Sequence, residues 1–148
     1  MRLNKGIENC NGCEACIVAC KKVCIKLEDY NHETKDEKNP VVNLDGCLKC
    51  NSCKLHCPIF WPVTMPEFTE MLPPNDGYYY REMAPIYRKT MQSVNARNFT
   101  EFTGTLCQIA ALISLMGDKI PTNLKFNPVA CDPEANGREC CKNCMFYK

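Results

Sequence analysis

The chain has 148 residues, a length that fits one domain or one small domain with an appendage. Its 18 basic and 17 acidic residues nearly cancel, so the overall charge gives no argument for nucleic acid or an anionic membrane as the partner. The 14 cysteines are the outlier of the composition, and such enrichment is typical of disulfide, zinc or iron–sulfur proteins.

Two segments bear on the cellular compartment. Residues 1–10 lack the continuous apolar stretch of a secretory signal. The most apolar segment, 106–116, is shorter than the roughly 20 residues that cross a bilayer, and Gln108 and Ser114 interrupt it. We therefore expect a cytoplasmic protein with no membrane span, in which reduced cysteines favour metal binding over disulfides.

A four-cysteine pattern occurs twice in the N-terminal part of the chain. Both copies have the spacing Cys-x2-Cys-x2-Cys-x3-Cys, and the second begins 37 residues after the first: Cys10, Cys13, Cys16 and Cys20, then Cys47, Cys50, Cys53 and Cys57. In two-cluster ferredoxins, the first three cysteines of such a run bind one [4Fe–4S] cluster and the fourth binds the other cluster. The pattern therefore predicts two clusters that exchange one ligand.

This exchange assigns four ligands to each cluster. Cluster one takes Cys10, Cys13, Cys16 and Cys57, and cluster two takes Cys47, Cys50, Cys53 and Cys20. Between the runs, the apolar segments 25–27 and 41–44 predict short strands, and the polar segment 30–39 predicts a solvated loop. We expect an α+β chain that begins with a pseudo-symmetric, bacterial-type 2[4Fe–4S] ferredoxin fold, in which metal bonds replace much of the hydrophobic core.

Three alternatives to two four-iron clusters stay open. Structural zinc also uses Cys-x2-Cys pairs, and a disulfide framework also uses many cysteines. Loss of one cluster, or conversion to a three-iron form, would leave the same pattern in the sequence. Two complete runs at identical spacing favour the two-cluster prediction over each of these alternatives.

Three further residues lie near the runs. Cys24, four residues after Cys20, is predicted to be a small buried apolar residue. His56 precedes the ligand Cys57 and is predicted to be a surface residue on a helical turn; the alternative is a hydrogen bond near cluster one that tunes its potential. His32 lies in the polar loop and is given no role.

Changes in composition divide the chain into three parts. Residues 1–62 form the predicted ferredoxin-type domain, 63–102 a proline-rich linker with an aromatic segment, and 103–148 a small, mostly helical or irregular C-terminal segment. Within the last part, apolar residues at helical spacing predict a buried helix over 106–116, which Gly117 would end. A cysteine-rich tail follows.

Five cysteines lie outside the two runs: Cys107, Cys131, Cys140, Cys141 and Cys144. The pair Cys141-x2-Cys144 can chelate a metal, and Cys131 with Cys140, or Cys107, would complete a second site for zinc or a third cluster. The alternative is a group of thiols that bind no metal. Spacing alone does not distinguish between the two.

Three segments resemble the beta-subunit family of the coenzyme F-420 (deazaflavin) hydrogenases and formate dehydrogenases. Residues 7–60 resemble the two-cluster ferredoxin module at the N-terminus of that family. Residues 103–112 (TGTLCQIAAL) are similar to its GTPCQ-[IV]-AGL motif, and residues 138–148 (RECCKNCMFYK) to its R-x-S-C-x-N-C-x-Y-K motif. The family is longer, has a serine- and glycine-rich segment without a counterpart here, and has proline at the position of Leu106.

The resemblance implies a subunit that passes electrons between iron–sulfur clusters and a flavin, FAD, which exchanges hydride with a deazaflavin or a similar carrier. Because this chain looks like a shortened relative, we carry over no flavin-binding residue and name no catalytic residue.

Three functional hypotheses follow. The first is an electron-transfer protein or subunit that relays single electrons through two [4Fe–4S] clusters to a redox partner protein or within a larger oxidoreductase complex. The second is a flavin-linked oxidoreductase subunit of the F-420 beta type. The third is a metal-stabilised assembly protein without a redox role. The sequence favours an electron-transfer subunit over a self-contained enzyme.

Overall fold

The computed structural model describes residues 13–22, 24–29, 38–43, 45–58, 61, 63–73, 83–117 and 119–131. The elements of these ranges are, in chain order, α1 (Ala15–Ala19), β1 (Ile25–Asp29), β2 (Lys38–Val42), α2 (Ser52–Leu55), α3 (Ala84–Asn95), β3 (Thr100–Thr105), α4 (Leu106–Leu115) and β4 (Leu124–Val129). Helices accompany one antiparallel and one parallel strand pair, so the α+β class is confirmed at this level. Within the same ranges, no helix combines the length and apolar character needed to cross a membrane.

The two cysteine runs repeat a backbone conformation as well as a spacing. Glu14 (φ 70°, ψ 9°) and Asn51 (φ 63°, ψ 11°) both adopt the left-handed conformation. They occupy equivalent positions, 37 residues apart in the sequence. Each of them is followed at once by a short helix, α1 in the first run and α2 in the second. The sequence repeat is therefore also a structural repeat over the described part of both runs.

Strands β1 and β2 connect the two runs. They pair antiparallel, with Ile25 opposite Val42 and Asp29 opposite Lys38. Both predicted strands are thus confirmed, although β2 begins earlier than expected, at Lys38. Most of the predicted loop over 30–39 lies outside the described residues. A hydrogen bond from the Asn43 N–H to the Cys24 carbonyl, at 2.7 Å, joins the two strands again where they meet the runs.

A strand–helix–strand unit forms the later part of the chain. Strands β3 and β4 pair in parallel, with Thr100 opposite Leu124 and Thr105 opposite Val129, and α4 connects them. Residues 108–114 of α4 are all buried, as expected for a helix that is apolar on most of its surface. Gly117 follows with a φ of 72°, which confirms the predicted helix and its end.

The region 63–102, predicted as a linker, contains a helix that this prediction did not include. Helix α3 has 12 residues and buries Tyr87 and Val94. Its proline, Pro85, lies in the first turn, where a helix tolerates proline. Leu72 also lies beside β4, because its N–H donates to the Pro128 carbonyl at 2.8 Å. The predicted aromatic segment over 78–80 lies outside the described residues.

One hydrophobic core joins the first cysteine run to the later part of the chain. Ala15 of α1 is buried in the same cluster as side chains from α3, β3 and α4. The Phe102 ring lies between those of Tyr87 and Phe126, with centroid distances of 6.0 and 6.3 Å. The first run therefore rests directly on the C-terminal half. The three-part division of the chain stays a prediction.

Candidate metal centre

Seven of the eight predicted iron ligands lie in the described residues, and Cys10 lies outside them. Six of the seven are half-buried, whereas Cys50 is exposed. Helices α1 and α2 lie against each other. Because Cys20 follows the last residue of α1, this contact brings the end of the first run next to the second run.

Cys20 lies among the cysteines of the second run. Its sulfur is close enough to influence the electrostatics of both Cys50 and Cys53. A small apolar cluster around Cys24 and Ile25 collects further side chains from both runs: Cys16, Ile17, Cys20, Cys47 and Cys53. Three of the four cysteines assigned to cluster two, Cys20, Cys47 and Cys53, thus pack in one cluster, and the exposed Cys50 lies within the electrostatic range of Cys20. The corresponding position of Cys57 beside Cys13 and Cys16 stays a prediction.

Polar groups of the second run act on its sulfurs. A hydrogen bond between the Cys50 sulfur and the Ser52 hydroxyl, 3.5 Å apart, lowers the pKa of Cys50. Burial raises the pKa of Cys53. The Lys49 N–H donates to the Cys47 sulfur at 3.3 Å. The thiolate is the metal-binding form of cysteine, and hydrogen bonds to ligand sulfurs help to set the potential of a cluster.

Cys24 is buried, as predicted, but it also makes a polar contact that the sequence did not indicate. Its sulfur lies 3.1 Å from the Cys20 sulfur. This hydrogen bond, together with burial, raises the pKa of Cys24 to about 11. Cys24 therefore keeps its proton near neutral pH and can donate it in a hydrogen bond to the sulfur of Cys20.

Glu14 and Tyr87 fasten the first run to α3. The buried Glu14 carboxylate accepts hydrogen bonds from the Met83 N–H at 2.6 Å and the Ala84 N–H at 3.4 Å, where α3 begins. The buried Tyr87 hydroxyl donates to the Cys13 carbonyl at 2.7 Å. A carboxylate is favourable at a helix N-terminus, because it accepts from unpaired N–H groups and opposes the positive end of the helix dipole.

Sequence reasoning missed both of these residues. For Glu14, the available signal was a carboxylate between two ligand cysteines, in a run whose other intervening residues are small, amide or aliphatic. For Tyr87, the available signal was the helical spacing of Tyr87, Met91 and Val94.

His56 fastens the second run to α4. It lies on a turn, as predicted, but its ring is half-buried. Its Nδ1 is 2.9 Å from the Ser114 carbonyl oxygen, near the end of α4. Nδ1 must carry a proton to donate to a carbonyl. The side chain therefore has a structural partner, and its predicted alternative role beside cluster one stays a prediction.

In the described part of the chain, no three His, Cys, Asp or Glu side chains converge closely enough to hold a metal ion. Structural zinc draws four ligand atoms to within about 2.0–2.3 Å of one point, whereas a [4Fe–4S] cluster binds each thiolate at a different iron. Cys20, Cys47, Cys50 and Cys53 supply the four thiolates that either centre uses, so both the cluster and the zinc alternative stay predictions.

The second group of cysteines is only partly described, since Cys140, Cys141 and Cys144 lie outside the described residues. Cys107 and Cys131 are both half-buried. They follow β3 and β4, whose last paired residues are Thr105 and Val129. Both cysteines are thus placed just after the carboxyl edge of the parallel pair. The second metal site over Cys131, Cys140, Cys141 and Cys144 stays a prediction.

The motif around Cys107 has a structural explanation. Thr105 caps α4, and the Gln108 Oε1 accepts a hydrogen bond from the Thr105 N–H at 3.0 Å, which completes a capping box. A Cβ at Gly104 would lie 2.7 Å from the same Oε1. Threonine and glutamine at these positions therefore stabilise the start of the helix, and glycine leaves room for the glutamine side chain; neither contact requires a flavin.

No family model, curated protein or solved structure matches the chain. The resemblance to the F-420 beta-subunit family therefore rests on the segments quoted from the sequence alone.

Proposed function

We propose that the chain is an electron-transfer protein, or the electron-transfer subunit of a larger oxidoreductase, that relays single electrons through two [4Fe–4S] clusters. The observation that carries this proposal is the doubled cysteine run, together with the repeat of its backbone at Glu14 and Asn51. The position of Cys20 among the second-run cysteines supports the exchange of one ligand. A pseudo-symmetric ferredoxin-type fold for both runs belongs to the proposal.

In this proposal the eight ligands divide between the clusters as the sequence predicts. Cysteines 10, 13, 16 and 57 hold cluster one, and cysteines 47, 50, 53 and 20 hold cluster two. When bound, each cluster supplies a centre that takes up and releases one electron at a time. The remaining chemistry belongs to the chain, which presents thiolates, directs the Lys49 N–H to a sulfur and shields the first run from water.

The contacts of both runs with the C-terminal half suit this task. Glu14 and Tyr87 hold the first run on α3, and His56 holds the second run on α4. These hydrogen bonds are buried or partly buried and act at or beside ligand cysteines, so they limit how far the ligands move when the charge of the site changes. Residues 83–117 would therefore act as a rigid support for the redox centres, and they need no substrate site for this role.

Anaerobic reconstitution followed by metal analysis tests the proposal. We expect about eight irons and about eight inorganic sulfides per chain, and spectra of interacting clusters after reduction. About four irons would contradict the two-cluster proposal. About twelve irons would indicate a third cluster in the cysteine-rich tail, and a Cys107→Ser, Cys131→Ser double variant would then reduce the content to about eight.

The same preparation tests the two other hypotheses. Flavin absorption, or flavin released on denaturation, would favour the oxidoreductase of the F-420 beta type, whereas a spectrum with iron–sulfur bands alone would reject it. The assembly hypothesis requires that ligand substitutions change complex formation and that the redox state does not. The assembly hypothesis would be supported if the reduced and the oxidised chain bind a co-purified partner equally and no electron passes from the chain to that partner.

A further inference from the structure

The two cysteine runs have different surroundings despite their equivalent backbones. Val18 of the first run packs against the shared core. Its equivalent in the second run, 37 residues later, is Leu55, which is 55% exposed. Leu48, within the second run, is 68% exposed. The first run is thus covered by the C-terminal half, whereas the second run presents aliphatic side chains to the solvent.

The exposed run also carries positive charge. Lys49 and Lys54 lie within it, and Lys21 and Lys22 follow Cys20, which lies among its cysteines; all four lysines are exposed. Across residues 13–22 and 45–58, Asp45 is the only exposed carboxylate, because the other acidic residue, Glu14, is buried. The exposed side chains of these two ranges are therefore mainly positive, although the chain as a whole is nearly neutral.

We propose that the exposed part of the second run, with Leu48, Lys49, Lys54 and Leu55, together with Lys21 and Lys22 that follow Cys20, is the docking surface for an acidic electron-carrier protein. The inference rests on the proposed function. Two exposed leucines among lysines match the composition of a transient interface, with apolar contacts inside a charged rim. Complementary charge would orient an acidic partner toward the cysteines of cluster two.

The transfer at this surface is a one-electron step. One electron leaves the reduced cluster two, which returns to its oxidised state, and the acidic carrier is reduced by that electron. Eight thiolates outweigh the positive charge of two cubes, so the loaded chain has a net negative charge. The overall charge, to which cluster two itself contributes beside these residues, would therefore repel an acidic carrier, and only the lysines would attract it.

Binding of flavodoxin, used as a small acidic carrier, tests the docking surface. The oxidised, iron-loaded chain is titrated by calorimetry at about 20 mM and about 200 mM salt, where screening differs strongly. We expect the Kd to rise with salt, and a Lys49→Gln, Lys54→Gln variant to raise the low-salt Kd about threefold to tenfold. A Leu48→Gln, Leu55→Gln variant should weaken binding at both salt concentrations.

A matched variant controls for total charge. Lys89 and Lys119 are also exposed lysines, but they lie on and after helices of the C-terminal half. Lys89→Gln, Lys119→Gln removes the same charge and should leave the Kd within about twofold. Three results would overturn the docking surface. They are equal effects of the two lysine pairs on the Kd, a Kd that does not change with salt, and tighter binding of a basic carrier such as cytochrome c.

The iron content of every variant is measured first, which separates the two proposals. Suppose that the lysine and leucine variants of the second run load about eight irons and are reduced normally, yet bind flavodoxin as the parent chain does. The docking surface is then refuted, and the electron-transfer function stays in place. A parent chain that takes up no iron refutes the proposed function, and the docking surface fails with it.

Discussion

Removal of the Glu14 carboxylate is expected to loosen the attachment of the first cysteine run to α3. Glu14 is 3% exposed, and its two oxygens accept from the Met83 and Ala84 N–H groups. In Glu14→Ala both N–H groups lose their partner inside a buried contact. The left-handed backbone at position 14 is equally unfavourable for glutamate and alanine, so the change in stability reports the lost hydrogen bonds.

The magnitude follows from the geometry. A hydrogen bond to a charged group contributes about 1.5–3 kcal/mol, and loss of an N-cap costs about 0.5–2 kcal/mol. These values overlap, since both describe the short bond to Met83. We therefore expect a loss of about 2–3 kcal/mol for Glu14→Ala. Glu14→Gln keeps one oxygen acceptor for the short bond to Met83. It loses the charge opposite the helix dipole and the longer bond to Ala84, which together correspond to about 1–2 kcal/mol.

Thermal unfolding and amide hydrogen exchange measure these changes in the iron-loaded chain. At a fixed scan rate, the unfolding temperature of Glu14→Ala should fall by about 5–10 °C. Exchange should accelerate in peptides that cover 84–95, because α3 loses its first anchor. The exposed Glu70 provides the matched control, and Glu70→Ala should leave both readouts unchanged. Equal unfolding temperatures and exchange rates for the Glu14 and Glu70 variants would refute the capping role.

Three further predictions concern the clusters and α4. Cys20→Ser should remove cluster two and reduce the iron content from about eight to about four; it is combined with Cys24→Ala so that no neighbouring thiol replaces the ligand. Cys57→Ser should instead remove cluster one. If the reduced spectra show that both variants lose the same cluster, the exchange of ligands is contradicted. Cys24→Ala alone should lower the potential of one cluster by about 20–60 mV, the equivalent of one hydrogen bond, and Cys24→Ser, which keeps a donor, should shift it less in the same redox titration. Gly104→Ala should lower the free energy of unfolding, measured by denaturant titration, by about 1–3 kcal/mol because the new methyl group displaces Gln108. Gly117→Ala is the control: its Cβ has open space around it, so this variant should lower the denaturation midpoint only through its positive φ.

The sequence predicted those parts of the structure whose signal is local. The doubled cysteine spacing indicated the repeat, the apolar segments between the runs indicated β1 and β2, and the apolar periodicity of 106–116 indicated α4. In each case the residues that carry the pattern are close together in the chain. The covalent geometry of a cysteine run, or the period of a helix, then restricts the structure before any distant contact forms.

The contacts of helix α3 could not be predicted in the same way. The helix itself had a local signal, because Tyr87, Met91 and Val94 recur at helical spacing, but the prolines of 58–74 favoured the linker interpretation. The bond between Glu14 and Met83 joins residues 69 positions apart. Such a pairing is decided by how the first run packs against the strand–helix–strand unit, which a single sequence does not specify. The same reason applies to His56 and Ser114, which are 58 positions apart.

The unequal surroundings of the two runs have a consequence for the order in which electrons occupy the proposed clusters. Reduction adds negative charge, and water stabilises that charge better than a hydrophobic core does, so an exposed cluster has the higher potential when other factors are equal. The second run is exposed at Leu48 and Leu55, and its sulfurs receive hydrogen bonds from the Lys49 N–H and, through Cys20, from Cys24. The hydrogen bonds raise the potential of cluster two, and its exposure places that potential above that of cluster one, whose run lies against the core. An electron would then reside at the cluster that faces the lysines, which is where an acidic carrier could collect it, and the shift caused by Cys24→Ala belongs to the higher-potential step of the titration.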